Sequence, residues 1–399
     1  MKILVISQHF YPEQFKVSDI CFRLAKEGHD VTVLTGLPNY PSGVIDKKYK
    51  WFKNRNEKVK GVNILRSWLI GRGSGNLKLS VNYLSFALAA TFKSLFIKKD
   101  FDLMLVYQTS PVTMALPGVL LKKLTKKPLI IYCHDLWPES IATVGITKDS
   151  VVYKVLFIIS KWIYGNADKI FTSSKLFVEY FNNTLGIYKE TVYLPVYAED
   201  LFDNITANNM ASDSINLVFA GNVGKMQSVD TIIYAANELK EMKNIKWHIV
   251  GDGSAKNTCE KLKNELDLEN VIFHGQHPIS EMPHFYRMAD AFLITLKENK
   301  VISYTLPNKV QSYMAAGKPI IGAIDGETQE VIKTANCGLC CSSEDYKSLA
   351  KNVKDFVENK QMHRVYGENA KKYYEENFSK KIFFTRLNNL LKNSKKQEV

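Results

Sequence analysis

The chain has 399 residues, of which 46% are hydrophobic and 23% charged, and its formal net charge is +13. This length and composition predict a soluble globular protein of two or three domains with ample cores. The longest strongly apolar run without a charged residue, 79–92, has 14 residues. Because a helix needs ~18–20 apolar residues to span a bilayer, this run is too short to cross one.

The positive charge is concentrated in the first half of the chain. Residues 1–195 contain 27 Lys and Arg against 14 Asp and Glu, whereas the remainder contains 26 of each. Such a field attracts an anionic membrane, a phosphorylated acceptor or nucleic acid. Because basic and aromatic residues interleave only at 47–60 and no nucleic-acid motif occurs, we expect no nucleic-acid partner.

The start of the chain and its cysteines indicate the compartment. Lys2 is followed at once by a short apolar run and then by polar residues, which is not the pattern of a signal peptide. Six scattered cysteines fit a reducing compartment better than a disulfide framework, so a cytoplasmic protein is expected. Three of them lie at 337–341 with no second cluster nearby, which favours a strand with buried thiols over a metal site.

The chain begins with a predicted βαβ unit. Residues 3–7 and 31–34 are apolar runs typical of buried parallel strands, and a helix from Ser18 to Gly28 separates them. The G-x-G-x-x-G turn is absent, so a dinucleotide site is not predicted. Each strand is followed by a loop at the sheet edge where α/β proteins place ligands. The side chains of interest in these loops are His9, Tyr11, Glu13, Asn39 and Tyr40.

Three segments of the first half leave alternatives open. Residues 47–60 form either a solvated loop or a patch seated on anionic lipid, with Trp51 and Phe52 at the interface. Residues 77–97 predict a long apolar helix that either packs in the core or partly contacts a membrane. Residues 151–166 predict a strongly amphipathic helix whose apolar residues share a face.

Two acidic motifs flank predicted strands. Asp100-Phe101-Asp102 has the D-x-D spacing of metal-dependent transferases, but it precedes a strand, so a structural role is predicted. His134 and Asp135 follow the strand at 129–132. A histidine beside a carboxylate at the carboxyl end of a strand is a candidate site, and the alternative is a hydrogen-bonded core histidine.

A second α/β domain begins after a linker predicted at 193–200. Its first strand, 215–221, leads into a loop in which Gly221 and Gly224 let backbone amides approach an anion, and Lys225 adds a positive charge. The alternative is a tight turn before a helix at 229–242. The later segment 251–253 is interpreted as a turn.

Residues 306–321 predict a loop, one helix, a glycine stop and a buried strand. Pro307 suits the start of the helix, and Gly317 suits its C-terminal cap. A helix N-terminus that follows a loop in such a domain is a ready anion site. The alternative is an ordinary loop-helix-strand unit without a ligand.

This run resembles the nucleotide-sugar signature of family 4 retaining glycosyltransferases. It is most similar to the branch of N-acetylfucosaminyl-type transferases that build O-antigen and capsule repeats, with the pattern P-S-K-x-x-E-Y-x-A-A-G-K-P-x-I. The chain departs from this pattern at Ser312 and Tyr304, where the family has a pair of glutamates. The residues in register are Pro307, Asn308, Lys309, Tyr313, Ala315, Ala316, Gly317, Lys318, Pro319 and Ile321.

The resemblance implies the GT-B fold class: α/β, with two Rossmann-like domains facing across a cleft and C-terminal helices crossing back to the N-terminal domain. Residues 1–195 would form the acceptor-binding domain and 196–375 the nucleotide-sugar-binding domain. Residues 376–399 would form a helix that packs back on the first domain.

The function implied by the resemblance is retaining, metal-independent glycosyl transfer without a cofactor. An N-acetylated hexosamine, or its 6-deoxy relative, would move from a UDP-sugar to a polyprenyl-diphosphate-linked sugar in O-antigen, capsule or lipopolysaccharide synthesis. The protein would be cytoplasmic and peripherally bound to the inner face of the cell membrane. A sugar-nucleotide epimerase on the same fold is the alternative.

The site residues carried over fall into three groups. His134 and Lys225 would act in catalysis, by contacting the sugar and stabilising the leaving diphosphate. The donor-binding residues would be Gly221, Asn222, Lys225, Pro307, Asn308, Lys309, Ser312, Glu327 and Glu330. The acceptor-side residues would be His9, Tyr11, Glu13, Asn39, Tyr40 and Asp135.

Overall fold

The computed structural model describes residues 1–51, 53–142, 145–203, 205 and 214–395. These residues form two compact units. Unit 1 comprises Met1–Leu194 together with the end of the last helix from Asn388, and unit 2 comprises Pro195–Leu387. Each unit has its own predominantly parallel sheet with helices on it, so the predicted fold class of two Rossmann-like α/β domains is confirmed.

Unit 1 contains an eight-stranded sheet. Its strands are β1 Lys2–Ile6, β2 Asp30–Thr35, β3 Asn56–Val59, β4 Val62–Arg66, β5 Leu103–Gln108, β6 Leu129–Cys133, β7 Lys169–Thr172 and β8 Thr191–Tyr193. Its helices are α1 Lys16–Lys26, α2 Asn76–Ser94, α3 Leu116–Thr125, α4 Glu139–Ala142, α5 Val151–Asn166 and α6 Leu176–Glu179. The strand order is β3-β4-β2-β1-β5-β6-β7-β8. The central strands β5 and β6 are buried along their whole length, as expected for a sheet covered on both faces.

The edge of this sheet corrects the loop expected at 47–60. Residues 56–59 form β3, which pairs antiparallel with β4 in the register Val59↔Val62. The two residues between the strands, Lys60 and Gly61, both have positive φ angles, of 47° and 85°. This is the geometry of the two-residue hairpin turn that matches strand twist. Trp51 is exposed before the hairpin, and Phe52 lies outside the described residues.

The amphipathic helix α5 has the predicted bounds, but the burial of its faces differs from expectation. Val151, Val155, Ile158 and Trp162 are exposed. The side that packs inward carries Tyr153, Ser160, Ile163 and Tyr164. The sequence periodicity therefore located the helix correctly, whereas the direction of its apolar face was decided by packing.

Unit 2 contains a six-stranded parallel sheet. Its strands are β9 Ile215–Ala220, β10 Ile245–Val250, β11 Val271–Gly275, β12 Ala291–Thr295, β13 Ile320–Ala323 and β14 Gly338–Cys341. Its helices are α7 Val229–Glu238, α8 Lys256–Glu265, α9 Met282–Met288, α10 Lys300–Ser303, α11 Asn308–Ala315, α12 Glu327–Ala335, α13 Tyr346–Glu358 and α14 Lys360–Asn377. The strand order is β11-β10-β9-β12-β13-β14.

The core of unit 2 lies where α7 and α13 cover the sheet. Trp247, Ile232 and Phe356 are fully buried there. Helix α7 ends four residues before the predicted position, because Leu239 adopts a non-helical φ of −108° and turns its side chain into this core. The chain leaves the helix there and continues to β10, which begins at Ile245.

The last helix, α15 Lys380–Lys395, belongs to both units. Near its start, Lys380 pairs with Asp200 of unit 2 at 2.9 Å. Beyond the unit boundary, Asn388 donates through Nδ2 to Glu27 Oε2 at 2.8 Å and lies 3.1 Å from His29 Nε2. No helix among the described residues combines the length and apolarity that crossing a membrane requires.

Candidate functional site

A pocket of about 630 Å³ lies in unit 2 at the carboxyl ends of β9, β10 and β11. This is the edge at which parallel α/β sheets bind ligands. Two of the residues predicted to bind the donor, Gly221 and Asn222, line it. The other lining residues include Gly251, Asp252, Gly253, Gln276, His277, Ile279, Met282, Tyr286 and Phe202.

Glycines let the two loops that form the floor of this pocket approach each other. Gly221 and Gly251 have φ angles of 143° and 144°, which residues with side chains rarely adopt. A Cβ atom on Gly251 would lie 1.8 Å from the carbonyl oxygen of Gly221, and one on Gly253 would lie 2.5 Å from that of Val223. The sequence predicts a turn at the end of a strand for 251–253, and the structure shows that this turn forms part of the pocket floor.

Lys309 lies beneath this floor. Its Nζ is 4.0 Å from the centroid of the Phe219 ring, and a Cβ on Gly221 would lie 2.9 Å from the same nitrogen. Lys309 has no ion-pair partner within the part of the chain that the structure describes. Burial lowers the pKa of Lys309 to about 7. An anion bound above Gly221 would therefore meet an amine that gains its proton near neutral pH.

Lys225 is exposed at the start of a short 3-10 turn, Lys225–Gln227, that follows β9. The loop is fixed by Asn222, whose Nδ2 donates to Gln227 Oε1 at 2.9 Å, and by Thr295, whose hydroxyl donates to the Gln227 carbonyl at 2.6 Å. Lys225 itself has no described hydrogen-bond or ion-pair partner. These hydrogen bonds hold the loop in place, and the loop presents the unpaired Lys225 amine.

Tyr313 attaches helix α11 to the end of β9. Its hydroxyl donates to the carbonyl oxygen of Ala220 and accepts from the Ala220 N–H, both at 3.0 Å. The ring stacks on Phe292 with centroids 3.9 Å apart. In the described sheet β12 pairs with β9 only as far as Phe292↔Val218, so the phenol occupies the position that a strand partner would otherwise fill. Tyr313 positions the residue that precedes Gly221.

The other predicted donor residues lie around α11 and α12, and none of them is among the described lining of the pocket. Pro307 is the residue before α11, and Asn308 begins the helix, as the sequence predicted. The Ser312 hydroxyl donates to the Asn308 carbonyl at 3.3 Å. Glu327 is buried in the first turn of α12, whereas Glu330 is exposed and lies 3.9 Å from Lys333.

An aromatic wall closes one side of the pocket. Tyr286 and Phe202 stack with ring centroids 4.2 Å apart. His277, which follows β11, is held by Glu281 at 2.7 Å. None of these residues was predicted from the sequence, and the position of 276–278 after a strand was the available signal. Tyr286 and Phe202 keep only 4% and 3% of their surfaces exposed, so the stacked pair supports the pocket from the core.

In unit 1, four of the predicted acceptor-side residues form one hydrogen-bonded cluster. The buried Glu13 carboxylate accepts from the backbone N–H groups of Asn39 and Tyr40, at 2.8 and 2.7 Å. Its second oxygen lies 2.9 Å from His9 Nδ1. The His9 ring stacks on Phe15 with centroids 4.6 Å apart. Glu13 therefore ties the loop after β1 to the loop after β2.

The predicted residue Tyr11 is supported by a buried arginine that the sequence analysis did not single out. Arg66, at the end of β4, donates through Nη2 to the Tyr11 carbonyl at 2.7 Å and through Nε to Glu57 at 2.8 Å. The side chains of Tyr11 and Tyr40 remain exposed beside this network. The two loops thus present aromatic rings from a fixed backbone.

His134 lies between aromatic rings after β6. Its ring centroid is 4.1 Å from that of Tyr107 and 4.0 Å from that of Tyr132, and its Nε2 has no described hydrogen-bond partner. Burial lowers the pKa of His134 to about 3, so the imidazole is neutral at physiological pH. The ring therefore has one buried nitrogen that is left without a hydrogen-bond partner among the described residues.

Asp135 does not serve as the carboxylate partner of His134 that the sequence suggested. Its two oxygens accept hydrogen bonds from the hydroxyls of Ser110 and Ser140. Burial raises the pKa of the Asp135 carboxyl, and these two hydroxyls oppose the shift. Asp135 thereby joins the loop after β5 to the loop after β6.

The D-x-D motif has structural partners. Asp100 pairs with the Lys2 side chain at 2.6 Å, and Asp102 accepts from the Lys2 backbone N–H at 2.8 Å. Both residues precede β5, as predicted. Within the described ranges, no group of three or more histidine, cysteine or carboxylate side chains could hold a metal ion.

Two family models match successive parts of the chain. The model described as "Glycosyl transferase 4-like domain" matches residues 16–196, and the model described as "Glycosyl transferases group 1" matches residues 202–373. The boundary between the two matches falls close to the junction of units 1 and 2. Each match therefore covers most of one structural unit.

The curated relatives have low sequence identity to this chain, but their alignments cover most of its length. The "Putative colanic acid biosynthesis glycosyl transferase WcaI" of Escherichia coli is 22% identical over 89% of this chain and 91% of its own. The "Probable glycosyltransferase WbjE" of Pseudomonas aeruginosa is 25% identical over 63% of this chain and 65%, less than two thirds, of its own length.

Solved structures share the whole fold. Sucrose-phosphate synthase from Thermosynechococcus elongatus aligns with a TM-score of 0.78 at 16% identity, over 98% of both chains. The Anabaena protein HepE in complex with UDP-glucose aligns with a TM-score of 0.71 at 13% identity, over 98% of this chain and all of that one. At these identities the alignments establish the architecture of the chain.

Proposed function

Because the chain is a glycosyltransferase with the GT-B fold, we propose that it moves an N-acetylated hexosamine from a UDP-sugar to a polyprenyl-diphosphate-linked sugar. The product would be a repeat unit of an O-antigen or capsular polysaccharide. The name of WcaI, a putative colanic acid biosynthesis glycosyl transferase, supports a role in bacterial polysaccharide synthesis. Neither the family models nor the relatives favour the epimerase alternative.

The observation that carries this proposal is the glycine-floored pocket of unit 2. Gly221 and Gly251 leave its floor free of side chains, so a diphosphate can come close to the backbone there. The N–H groups of these two glycines donate to the Val250 and Gly275 carbonyls, at 2.9 and 2.8 Å, so lysine side chains must supply the positive charge. Lys225 stands unpaired beside the floor, and Lys309 lies under it.

The proposed chemistry is electrostatic and retains the anomeric configuration. As the bond between the sugar and UDP breaks, negative charge accumulates on the leaving diphosphate, and Lys225 and Lys309 stabilise it. His134 hydrogen-bonds the transferred sugar. A leaving phosphate oxygen accepts the proton of the acceptor hydroxyl on the same face, and no metal ion takes part. The remaining predicted donor and acceptor residues stay as proposed contacts.

The acceptor side of the proposal rests on charge. The excess of basic residues lies wholly in residues 1–195, and lipid and diphosphate are both anionic. We place the protein in the cytoplasm, peripherally bound to the inner face of the membrane that carries the acceptor.

A ligand panel tests the donor. Thermal unfolding in the presence of UDP- and GDP-sugars should show a rise in Tm for UDP-N-acetylhexosamines, because a ligand at 100 times its Kd stabilises by about 2.7 kcal/mol. UDP release should then require a lipid-diphosphate sugar and persist in chelator. UDP-sugar conversion without acceptor would instead support the epimerase, and strict Mg²⁺ dependence would overturn the phosphate chemistry.

Lys225→Ala should weaken UDP binding by ~1–3 kcal/mol, because a charge-assisted contact to phosphate is lost. Calorimetric titration measures the change. Lys243 precedes β10, at the opposite end of that strand from the pocket, and Lys243→Ala is the control that should bind UDP normally. Unchanged affinity in Lys225→Ala would remove that residue from the site.

UDP binding at pH 8 should take up a proton. Lys309 has a pKa of about 7 in the free protein, and an adjacent diphosphate raises this pKa. The contribution of the charged Lys309 amine to UDP affinity is therefore complete below pH 7, and it is lost as pH rises through the pKa of the bound state. The terminal phosphate of UDP, with a second pKa of about 6, is already ionised at pH 8. Calorimetry in buffers of different ionisation enthalpy measures the uptake. Lys309→Met should abolish it, and equal heats in all buffers for the unaltered protein would contradict the assignment.

His134→Ala should lower kcat by ~10²-fold or more, while UDP affinity stays within about twofold, because the proposed partner of the imidazole is the sugar. Steady-state rates and calorimetry with bare UDP separate the two effects. A large fall in Tm with normal specific activity would identify His134 as a core histidine instead.

A further inference from the structure

Helix α2 is oriented with its apolar stripe toward solvent. The side chains at spacings of three and four residues that should pack inward are exposed, and Phe92 keeps 66% of its surface accessible. Apart from Phe86, the buried side carries small or polar residues, including Asn82, Ser85 and Ala90. The exposed stripe consists of Leu77, Val81, Leu84, Leu88, Phe92 and Leu95.

Polar contacts fix this orientation. Buried Asn82 accepts through Oδ1 from Gln8 Nε2 at 2.7 Å and donates to the carbonyl of Ile70. The Ser85 hydroxyl accepts from the Ile70 N–H at 2.9 Å. If the helix rotated to bury its leucines, these buried polar groups would lose their hydrogen-bond partners. The free energy gained by burying the leucines would have to exceed that cost. The exposed stripe is therefore a consequence of the fold.

Helix α5 repeats the arrangement. Val151, Val155, Ile158 and Trp162 follow one another at helical spacing on its outer side, and Ile158 is 68% exposed. Its inner side carries Tyr153, Ser160, Ile163 and Tyr164, so α5 buries apolar side chains as well. Two helices of unit 1 that each expose a row of apolar side chains are more than scattered exposed residues.

Helix α3 joins the two stripes into one surface. An apolar groove of about 400 Å³ is lined by Leu88, Phe92 and Leu95 of α2, by residues of α3, and by Trp162 of α5. The surface that α2, α3 and α5 expose around this groove is called the three-helix face below.

The charge of the three-helix face has one sign. The sequences of α2, α3 and α5 contain six lysines and no aspartate or glutamate. Lys78, Lys123, Lys154 and Lys161 are exposed, and Lys123 lies 5.0 Å from the Trp162 ring centroid. Apolar side chains with tryptophan beside flexible lysines are the composition of helices that lie in a lipid interface.

We propose that the three-helix face docks on an anionic lipid bilayer, with its leucine, phenylalanine and tryptophan side chains in the interface and its lysines on lipid headgroups. A second copy of the chain would bring like charges together, which disfavours a dimer through this face. The proposal rests on the proposed function, since a membrane-borne acceptor requires the enzyme at the bilayer. It assigns that contact to helices and not to residues 47–60.

Vesicle binding tests the proposal with the whole chain. Sedimentation with vesicles of phosphatidylglycerol and phosphatidylcholine gives a partition coefficient for each variant. The face variant is Leu88→Gln, Phe92→Gln, Ile158→Gln. Its control is Tyr188→Gln, Val365→Gln, which changes exposed apolar residues elsewhere. Because all five side chains are exposed, Tm should stay within a few degrees.

The face variant should bind about 100-fold more weakly at low and at high salt, because the apolar contribution is not screened. A charge variant, Lys123→Glu, Lys154→Glu, Lys161→Glu, should lose anionic-vesicle binding at low salt and match the unaltered protein at high salt. A loop variant, Lys47→Glu, Lys48→Glu, Lys53→Glu, should bind nearly as the unaltered protein does.

Three outcomes would overturn the proposal. The first is loss of vesicle binding in the loop variant with normal binding in the face variant. The second is an absence of binding by the unaltered chain. The third is a dimer in analytical ultracentrifugation that the face variant dissociates, since a second copy would then cover the face.

UDP calorimetry on the same samples separates this proposal from the proposed function. A face variant that binds UDP normally but leaves the vesicles supports the docking surface. Vesicle binding through the face without any UDP affinity would defeat the proposed function alone. If the unaltered chain bound UDP and transferred the sugar but did not bind vesicles, only the docking-surface proposal would be wrong.

Discussion

Gly251→Ala is expected to destabilise unit 2 by about 2–6 kcal/mol and to abolish UDP binding. The new methyl group would lie 1.8 Å from the Gly221 carbonyl oxygen, and the φ of 144° is unsuited to alanine. The methyl group would be attached directly to the backbone of the pocket floor and would meet a backbone oxygen of that floor, so neither atom can rotate away. The clash can be relieved only if the loops after β9 and β10 separate. Chemical denaturation and UDP calorimetry measure the two effects.

Gly275→Ala is the matched control in the same unit. Gly275 also has a positive φ, of 76°, but a Cβ there would meet only the Lys256 Nζ at 3.8 Å. This variant carries the backbone strain without the collision and should cost about 1 kcal/mol. If Gly251→Ala behaved like Gly275→Ala and still bound UDP, the close packing of the pocket floor would not matter to the donor site.

Glu13→Ala is expected to lower the free energy of unfolding of unit 1 by about 3–5 kcal/mol. The change leaves the N–H groups of Asn39 and Tyr40 and the His9 ring without their shared acceptor in a buried position. The two loops would also lose their fixed spacing, so activity at temperatures below unfolding should fall as well. Denaturant titration of the whole chain, followed by tryptophan fluorescence, measures the stability.

Two further variants bracket this result. Glu13→Gln keeps a carbonyl oxygen for the amides, and we expect it to cost about half as much. Asp100→Ala removes a carboxylate that pairs with Lys2 at 2.6 Å, and because both side chains are exposed it should change stability by less than about 1 kcal/mol. A Glu13→Ala protein as stable as Asp100→Ala would show that water satisfies the loop amides.

The sequence alone determined the features that short-range chemistry specifies. Pro307 and Gly317 mark the two ends of α11 because their backbone preferences act locally, and the helix runs as Asn308–Ala315. The apolar runs at 3–7 and 129–132 became buried strands for the same reason. The two-domain α/β architecture followed from the repetition of such units along the chain.

Tertiary structure decided the pocket floor and the direction of each helix face. Gly251 matters because the Gly221 carbonyl lies against it, and Tyr313 matters because β12 leaves β9 before Ala220; these pairs are distant in sequence. Helical periodicity located α2 and α5 but left open which side would be buried. Asn82 determines which side of α2 is buried, because its amide has hydrogen-bond partners in the interior. An unpaired buried amide costs more free energy than an exposed leucine.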